Sequence, residues 1–343
     1  MSDSPSPLAE IRELAAIVAM APDALDVDTL CEVRVGDMRF PVDAIGLGNP
    51  AAQCPAIAFV GGVHGLERIG SGVVLSFLRN LVSRLSWDDS LHGILERVRL
   101  VFLPICNPGG MWLGTRANPH GVDLMRNAPL ESGERVPFLL GGQRLSPALP
   151  WYRGQAGQPM EIEARALTTL IAAELLPRRF SIALDCHSGF GIRDRIWFPF
   201  AHSRRPIPHL AEMRALKSLL DQVHCHHNYI FEPQSLQYLT HGDLWDHAYL
   251  DALSSATSLF LPLTLEMGSW LWVKKNPRQL LSRAGIFNPM AGHRIQRVMR
   301  RHLALMDFLL RAVASHARWL PSPATREALH AQAIAEWYAS RPR

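Results

Sequence analysis

The chain has 343 residues, of which 48% are hydrophobic and 19% are charged, a composition typical of globular rather than disordered proteins. The formal net charge is only +4 and the Arg residues are scattered, which argues against a nucleic-acid-binding surface. No apolar run approaches the roughly 20 residues needed to span a bilayer, so we expect no transmembrane segment and no membrane partner.

The N-terminal segment predicts a short amphipathic helix over residues 8–20, after a start rich in Ser and Pro. Glu10, Arg12 and Glu13, together with the lack of a basic start and a long apolar core, do not match a secretory signal. The chain contains 5 cysteines, an odd number without a CxxC pair, so a disulfide framework is not expected. We therefore expect a cytoplasmic protein.

The middle and the end of the chain alternate between apolar runs and amphipathic segments. Residues 31–47 predict a hairpin that turns at Gly36 and Asp37. Further strands are predicted at 54–62, 98–105, 180–186, 195–201, 229–233 (an edge strand) and 260–268. Helices are predicted at 67–86, 160–176, 206–223 and 291–319, with a last one after Pro321, and a long polar loop reaches about residue 158.

This alternation predicts an α/β fold with a mixed, mostly parallel twisted sheet that carries helices on both faces. We expect residues 1–320 to form a single domain and residues 321–343 a C-terminal helical tail. Open sheets of this kind place functional side chains at the carboxyl ends of their parallel strands.

Two predicted strand ends carry residue types that bind metals. GGVHGLE (61–67) places His64 and Glu67 three positions apart after one strand, and His187 follows another in LDCHSG (184–189). Two imidazoles and one carboxylate form a ligand set of hydrolytic zinc sites, which keep one position open for water. The alternative is that these histidines are core or capping residues.

Two other clusters contain the same residue types without the same context. His209 and Glu212 repeat the His-x-x-Glu spacing in a polar helix that no strand or glycine precedes, and we interpret them as a solvated helix face. HCHH (224–227) follows a helix end and suits a surface turn better than a second metal site.

Three motifs lie between the two strand ends: NPGG (107–110), TR (115–116) and GVDLMRN (121–127). In this order and spacing, residues 54–270 resemble the zinc carboxypeptidases, the carboxypeptidase A-like family. That family has an HxxE, an NP-G turn, a functional Arg, a G-V-D-x-N-R-N segment and a strand-terminal His, with a Tyr and a Glu further on. The resemblance implies a zinc carboxypeptidase-like fold and a metallopeptidase that cleaves short peptides carrying a free carboxylate.

The resemblance also implies which residues hold the metal. His64, Glu67 and His187 match the zinc ligands of the family, with one Zn²⁺ per chain. Asp123 matches the acid that orients the first His ligand.

The remaining matches imply catalytic and substrate-binding roles. Glu266 matches the general base, which can take a proton from a water molecule whose pKa the zinc lowers towards about 7. Arg116 matches the residue that stabilises the oxyanion through charge-assisted hydrogen bonds. Arg126, with Asn127 beside it, matches the binder of the terminal carboxylate, and Tyr238 matches the mobile-loop tyrosine that closes over substrate.

The sequence departs from the family pattern at two positions of the expected substrate site. Met125 stands where the family usually has an Asn that helps Arg126 hold the carboxylate. In a gapless alignment from Tyr238, Trp245 falls at the specificity pocket, and a bulky apolar residue there argues against a basic leaving residue.

Two alternatives remain open. An N-acyl amino acid deacylase of the succinylglutamate desuccinylase or aspartoacylase type shares the HxxE and a D-x-H motif, which Asp185 and His187 match. The intact GVDLMRN segment and Tyr238 favour the carboxypeptidase. A protein of another class, a non-catalytic zinc or peptide-binding module, could use the same fold.

Overall fold

The structure is a computed structural model that describes residues 8–254 and 258–339. Its strands are β1 (Asp26–Val35), β2 (Met38–Gly48), β3 (Ala56–Gly61), β4 (Arg99–Leu103), β5 (Phe180–Ser188), β6 (Arg195–Phe198), β7 (Ile230–Pro233) and β8 (Leu259–Met267). Its α-helices are α1 (Ala9–Val18), α2 (Arg68–Arg84), α3 (Asp89–Leu95), α4 (Pro108–Leu113), α5 (Ile162–Glu174), α6 (Leu210–Val223), α7 (Leu244–Ser254), α8 (Trp270–Lys275), α9 (Arg283–Phe287), α10 (Gly292–Ala314), α11 (His316–Trp319) and α12 (Pro323–Trp337). Short 3-10 helices cover Leu124–Arg126, Gln234–Leu236 and Pro277–Leu281.

The strands form one mixed sheet in the order β1-β2-β4-β3-β5-β8-β6-β7. The four central strands β4, β3, β5 and β8 run parallel. The β1–β2 hairpin joins β4 in antiparallel fashion on one side, and β6 joins β8 in the same way on the other. Strand β7 pairs only with β6 in this sheet order, so it forms an edge as predicted. The predicted α/β fold is confirmed.

The alternation of side chains along the central strands creates a hydrophobic core on each face of the sheet. Ile57 and Phe59 of β3 pack in the core that includes residues of α2 and α10. Ala58 and Val60 pack on the opposite face, in the core that includes residues of α5 and α7. Because both faces are covered, β3 is a continuous apolar run, and each large side chain buried there stabilises the fold by about 1.5–3 kcal/mol.

Several elements differ from the prediction. Strand β1 begins at Asp26, before the predicted hairpin, and the predicted helix over 291–319 is two helices, α10 and α11. Helices α3 and α7 lie in segments where no element was predicted, and α4 lies in the predicted polar loop. Within the described residues, no helix has the length and apolar character that crossing a membrane requires. Helix α12 packs against α6, and the division at residue 320 stays a prediction.

The parallel strands bring the predicted chemistry to one edge of the sheet. His64 and Glu67 follow the carboxyl end of β3, His187 lies near the end of β5, and Glu266 lies near the end of β8. His187 and Glu266 are paired in register across β5 and β8, so their side chains project from the same face.

Candidate active site

The predicted metal ligands meet at one point. Ligand atoms of His64, Glu67 and His187 all lie within 4.8 Å of one another, and all three side chains are buried. His64 Nδ1 lies 3.0 Å from Glu67 Oε1, and His187 Nδ1 lies 3.1 Å from Glu67 Oε2. The chain reaches this arrangement because Gly65 has no Cβ, which would collide with the backbone of Gly110.

The far nitrogen of each imidazole is held by a buried carboxylate. His64 Nε2 lies 3.1 Å from Asp123 Oδ1, and His187 Nε2 lies 2.5 Å from Asp185 Oδ2. A carboxylate in this position takes the N–H of the ring and leaves the lone pair of Nδ1 free to bind a metal. Asp123 therefore lies where the sequence placed it, as the partner of the first histidine.

The donor set fits a zinc ion. With both Nε2–H groups donating to carboxylates, the Nδ1 lone pairs of His64 and His187 face each other across 3.1 Å, beside the Glu67 carboxylate. Such a group is repulsive unless a cation lies between its members, and zinc accepts nitrogen and oxygen ligands at about 2.0–2.2 Å. A proton can take the same place: burial lowers the pKa of His187, but Asp185 and Glu67 outweigh burial and raise it well above its ordinary value.

Arg116 bridges the ligand Glu67 and Asp123, the acid that holds His64. Its Nη1 donates to Glu67 Oε1 and its Nε to Asp123 Oδ2, both at 2.9 Å. Burial raises the pKa of the Asp123 carboxyl, but Arg116 and His64 outweigh this and hold it well below its usual range. Asp123 is therefore ionised and able to accept hydrogen bonds from both Arg116 and His64.

Glu266 lies beside the ligand group without belonging to it. Its Oε1 accepts a hydrogen bond from the backbone N–H of Phe190 at 2.9 Å. Burial and the negative charge of Glu67 raise the pKa of Glu266 to about 8. A non-ligand carboxylate with a pKa near neutrality suits proton transfer.

The ligand histidines, Glu266 and two of the predicted substrate residues, Arg126 and Tyr238, line one cavity. The predicted residues in its wall are His64, Arg116, Arg126, His187, Tyr238 and Glu266. It is also lined by Met125, Trp197, Gln234, Asp243 and Thr264.

Tyr238 faces inward in this structure. Its ring makes an edge-to-face contact with Trp197, with ring centroids 6.1 Å apart. The loop that carries it packs on the backbone of Arg126 at Gly242, where a φ of +68° and contact with the Arg126 carbonyl leave no room for a Cβ. Arg126 and Tyr238 are thus held on one wall of the cavity.

Asn127 is not brought to the cavity wall. Its Nδ2 donates to the backbone carbonyl of Arg153 at 2.9 Å, and its Oδ1 accepts from the N–H of Glu161 at 2.6 Å. Both ends of the amide therefore stabilise the loop, so the prediction that Asn127 binds substrate has no geometric support.

Trp245 is not in the wall of this cavity, so the pocket position that the gapless alignment gave it has no geometric support. The side chain is buried, and its Nε1–H donates to Asp185 Oδ2 at 2.8 Å. Trp245 therefore supports the acid that orients His187, and its bulk says nothing about the leaving residue. Asp243 is in the cavity wall instead.

Sequence reasoning matched Asp185 only to the D-x-H motif of the deacylase alternative, and it did not consider Asp243. Asp185 could have been found, because residues two apart on a strand point to the same face and Asp185 precedes His187 by two positions on β5. Asp243 was hidden because its position depends on the path of the loop after Tyr238.

The second His-x-x-Glu segment is not solvated, contrary to the prediction. Glu212 is only 6% exposed and accepts a hydrogen bond from Arg326 Nε at 2.9 Å. His209 Nδ1 lies 2.9 Å from the hydroxyl of Tyr249. In the part of the chain that the structure describes, neither this segment nor residues 224–227 form a metal-ligand group.

Comparison with known proteins agrees with this geometry. A family model described as zinc carboxypeptidase matches residues 40–267, and the chain belongs to this family. Carboxypeptidase SOL1 of Arabidopsis thaliana is 33% identical over 93 residues, which are 26% of this chain and 19% of that protein. Carboxypeptidase D of Drosophila melanogaster is 30% identical over 95 residues, 25% of this chain and 7% of that protein. The alignments thus span less than a fifth of each relative.

Solved structures share the fold at low sequence identity. Carboxypeptidase A from Helicoverpa armigera superposes with a TM-score of 0.64 at 17% identity, covering 90% of this chain and 74% of that one. Bovine thrombin-activatable fibrinolysis inhibitor, solved with a tick carboxypeptidase inhibitor, gives a TM-score of 0.63 at 16% identity, covering 90% of this chain and 98% of that one. These likenesses confirm the zinc carboxypeptidase fold.

Proposed function

We propose that this protein is a zinc-dependent carboxypeptidase, which hydrolyses an amide bond of a short peptide that carries a free carboxylate. The proposal is carried by the convergence of the three ligand residues beside Glu266, in a cavity that two arginines also line. Membership of the zinc carboxypeptidase family supports the same reaction.

The residues around the metal position supply the parts of this reaction. A zinc ion held there would polarise the scissile carbonyl, activate a water molecule and offset the negative charge that raises the pKa of Glu266. Glu266 accepts a proton from the attacking water and passes it to the leaving amine. Arg116 donates to the carbonyl oxygen as negative charge develops, a contribution of about 2.7–4 kcal/mol in comparable sites.

Two further residues of the cavity wall, Arg126 and Tyr238, bind the substrate in this proposal. The Arg126 guanidinium matches a terminal carboxylate with two parallel hydrogen bonds. Tyr238 stands beside it and orients the peptide. Met125, in place of the family's Asn, offers an apolar surface, so Arg126 binds the carboxylate without a polar partner from this position.

Neither alternative gains support from the site. The deacylase shares the metal group and the Asp185–His187 pair, but the family match and the inward position of Tyr238 favour a peptidase. A non-catalytic binding module has no use for a second buried carboxylate, Glu266, next to the metal group.

The experiment that tests the proposal measures metal content and cleavage together. Zinc-loaded protein is incubated with peptides that have free or amidated C-termini and with N-acyl amino acids, and the products are read by mass spectrometry. We expect release of the C-terminal residue from free peptides only. Glu266→Gln should lower kcat by about 10²–10⁴-fold while one zinc per chain is kept.

The matched control is Glu327→Gln, which changes an exposed glutamate of α12 and should keep the wild-type rate. Cleavage confined to N-acyl amino acids would favour the deacylase. Full activity of Glu266→Gln would overturn the mechanism.

We also propose that the protein works in the cytoplasm. The five cysteines are all unpaired in the structure, and Cys106 and Cys186 are buried beside the site, which suits a reducing compartment. Cell fractionation with an antibody against the native protein tests this, and recovery outside the cytoplasm would contradict it.

A further inference from the structure

A second cavity lies next to the end of β8, and the proposed reaction does not use it. Residues of α8, residues of α10 and Asp194 form much of its wall. None of its lining residues belongs to the wall of the active-site cavity. It lies close to that site, because Asp194 accepts a hydrogen bond at 3.0 Å from the N–H of Gly268, two residues after Glu266. This cavity is therefore a separate site beside the catalytic one.

The charges in the wall of this second cavity are strongly unbalanced. Asp194 is the single acid among its lining residues, which include four cationic side chains: Lys275, Arg294, Arg297 and Arg301. The imbalance continues along the chain, because residues 267–306 contain eight Lys or Arg and no Asp or Glu, whereas the net charge of the whole chain is only +4. Cations that share one concave site repel one another unless an anion lies between them.

The protein itself holds two of these cations in place. Arg301 Nη1 donates to Asp194 Oδ2. Arg294 Nη1 donates to the carbonyl of Trp272 at 3.0 Å and to Oε1 of the buried Gln279 at 3.1 Å. Within the residues that the structure describes, the other nitrogens of both guanidinium groups make no hydrogen bond, so they stay available to a ligand. Binding a ligand to side chains that are already fixed costs less ordering.

The other two cations have no partner in the described part of the chain. Lys275 and Arg297 make neither a hydrogen bond nor an ion pair there, and both are exposed. Arginine binds phosphate oxygens with two parallel hydrogen bonds, and lysine contacts phosphate as a point charge. The four side chains together suit a compact anion that has more than one negative charge and several acceptor oxygens.

We propose that this second cavity binds a phosphate group, which Arg294 and Arg301 hold from the protein side while Lys275 and Arg297 hold it from the solvent side. A phosphate dianion offers enough charge and acceptor oxygens for all four side chains, whereas a carboxylate has one charge and two oxygens. The group belongs to inorganic phosphate, to a small phosphate ester or to the headgroup of an anionic lipid. The inference is independent of the proposed carboxypeptidase function.

The test measures binding to zinc-loaded protein, with chloride keeping the ionic strength constant. Isothermal titration calorimetry uses inorganic phosphate and glycerol 3-phosphate as soluble probes. Co-sedimentation uses vesicles of phosphatidylglycerol, with vesicles of phosphatidylcholine as the reference without net charge. We expect saturable binding of at least one of these probes, because the fixed arginines form a preorganised anion site.

The variant that tests the site combines Lys275→Gln with Arg297→Gln, the two cations that form no contact within the fold. We expect it to weaken phosphate binding by about tenfold or more, because two charged donors are lost. The matched control combines Lys274→Gln with Arg300→Gln. It removes the same charge from exposed positions of the same two helices outside the cavity wall, and it should keep the wild-type affinity.

The outcomes separate the source of the phosphate from the existence of the site. Vesicle binding alone, lost in the cavity variant, would assign the group to a lipid and revise the expectation of no membrane partner. Binding of the soluble probes alone, lost in the same variant, would assign it to a free ligand. The proposal is wrong if the wild type binds no probe, if both variants weaken binding equally, or if neither does. Because no readout depends on peptide cleavage, failure of the carboxypeptidase proposal would leave this result unaffected.

Discussion

Two segments of this chain have the same His-x-x-Glu spacing and a buried glutamate, yet only one is a metal site. His64 and Glu67 follow the end of β3, one of the parallel strands at the centre of the sheet, and both precede α2. Residues 209–212 follow a loop instead, and Glu212 lies inside the first turn of α6. The spacing of the motif is the same, so the difference lies in what each segment meets.

At the first segment, a residue of a neighbouring strand provides a third ligand. His187 comes from β5, and two carboxylates behind the rings leave both Nδ1 atoms free. At the second, the partners of His209 and Glu212 are the Tyr249 hydroxyl and Arg326. A tyrosine and an arginine satisfy the same side chains without creating a cation site, because the arginine brings its own positive charge. A His-x-x-Glu thus predicts a metal only where sheet topology supplies a further ligand.

The largest expected effect separates the two segments by zinc content. His187→Gln should weaken zinc binding on the order of a thousandfold, since it removes one of three ligands from a site whose total binding energy is about 10–16 kcal/mol in structural zinc sites. His209→Gln should keep one zinc per chain with unchanged affinity. Metal analysis after dialysis against a graded chelator checks both variants, with circular dichroism as the control for folding.

Equal zinc retention by the two variants would mean that the ligand group has been placed wrongly. Zinc loss from both would show that the second segment also contributes to a metal site.

A smaller effect is expected from the residues behind the histidines. Asp185→Asn should lower zinc affinity by about 10–100-fold, because the amide no longer fixes the ring of His187 with a charged acceptor. Tyr249→Phe removes the corresponding partner of His209 and should leave zinc affinity unchanged. Competition with a fluorescent zinc chelator measures both. Unchanged affinity in Asp185→Asn would assign this carboxylate to folding alone.

The parts of the fold that could be predicted are those whose signal is local. Strand β3 is buried on both faces, so it is an unbroken apolar run that stands out in the sequence. Strand β5 is buried along its whole length and is apolar at most positions before Asp185. Helix α7 was missed because it carries a buried acid, Asp246, whose Oδ2 accepts a hydrogen bond from His202, a remote partner that no local pattern reveals. Helix α4 was missed because NPGG reads as a turn, whereas the Asn107 side chain caps a helix by accepting from the N–H of Gly110.

The residues of the candidate site also divide into those that a local motif reveals and those that it does not. The ligands, Asp123, Arg116 and Glu266 lie in ordered motifs, and the structure brings them together. Asp243 and Trp245 could not be placed, because the loop after Tyr238 sets their positions and its path is decided by contacts with Arg126. Asp243 lies two positions before Trp245, yet of these two residues it is Asp243 that lines the cavity.

The smallest effect concerns the free energy of unfolding of the metal-free protein. Here we expect a loss from a change in the second segment, which has no effect on zinc. Glu212→Gln keeps the shape of the side chain and loses the charge that holds Arg326, an arginine whose side chain is 44% exposed. We expect a loss of about 1–2 kcal/mol, because the buried carboxylate makes charge-assisted hydrogen bonds while solvent screens its partner. Zinc content should not change, whereas Glu67→Gln should lose zinc. Urea unfolding of metal-free and zinc-loaded protein measures the free energy of unfolding, and metal analysis measures the zinc content. Arg326 belongs to α12. If Glu212→Gln and a variant that lacks the Arg326 side chain lose the same stability, the second segment serves to anchor this C-terminal helix. A change in the zinc affinity of Glu212→Gln would contradict the distinction between the two segments.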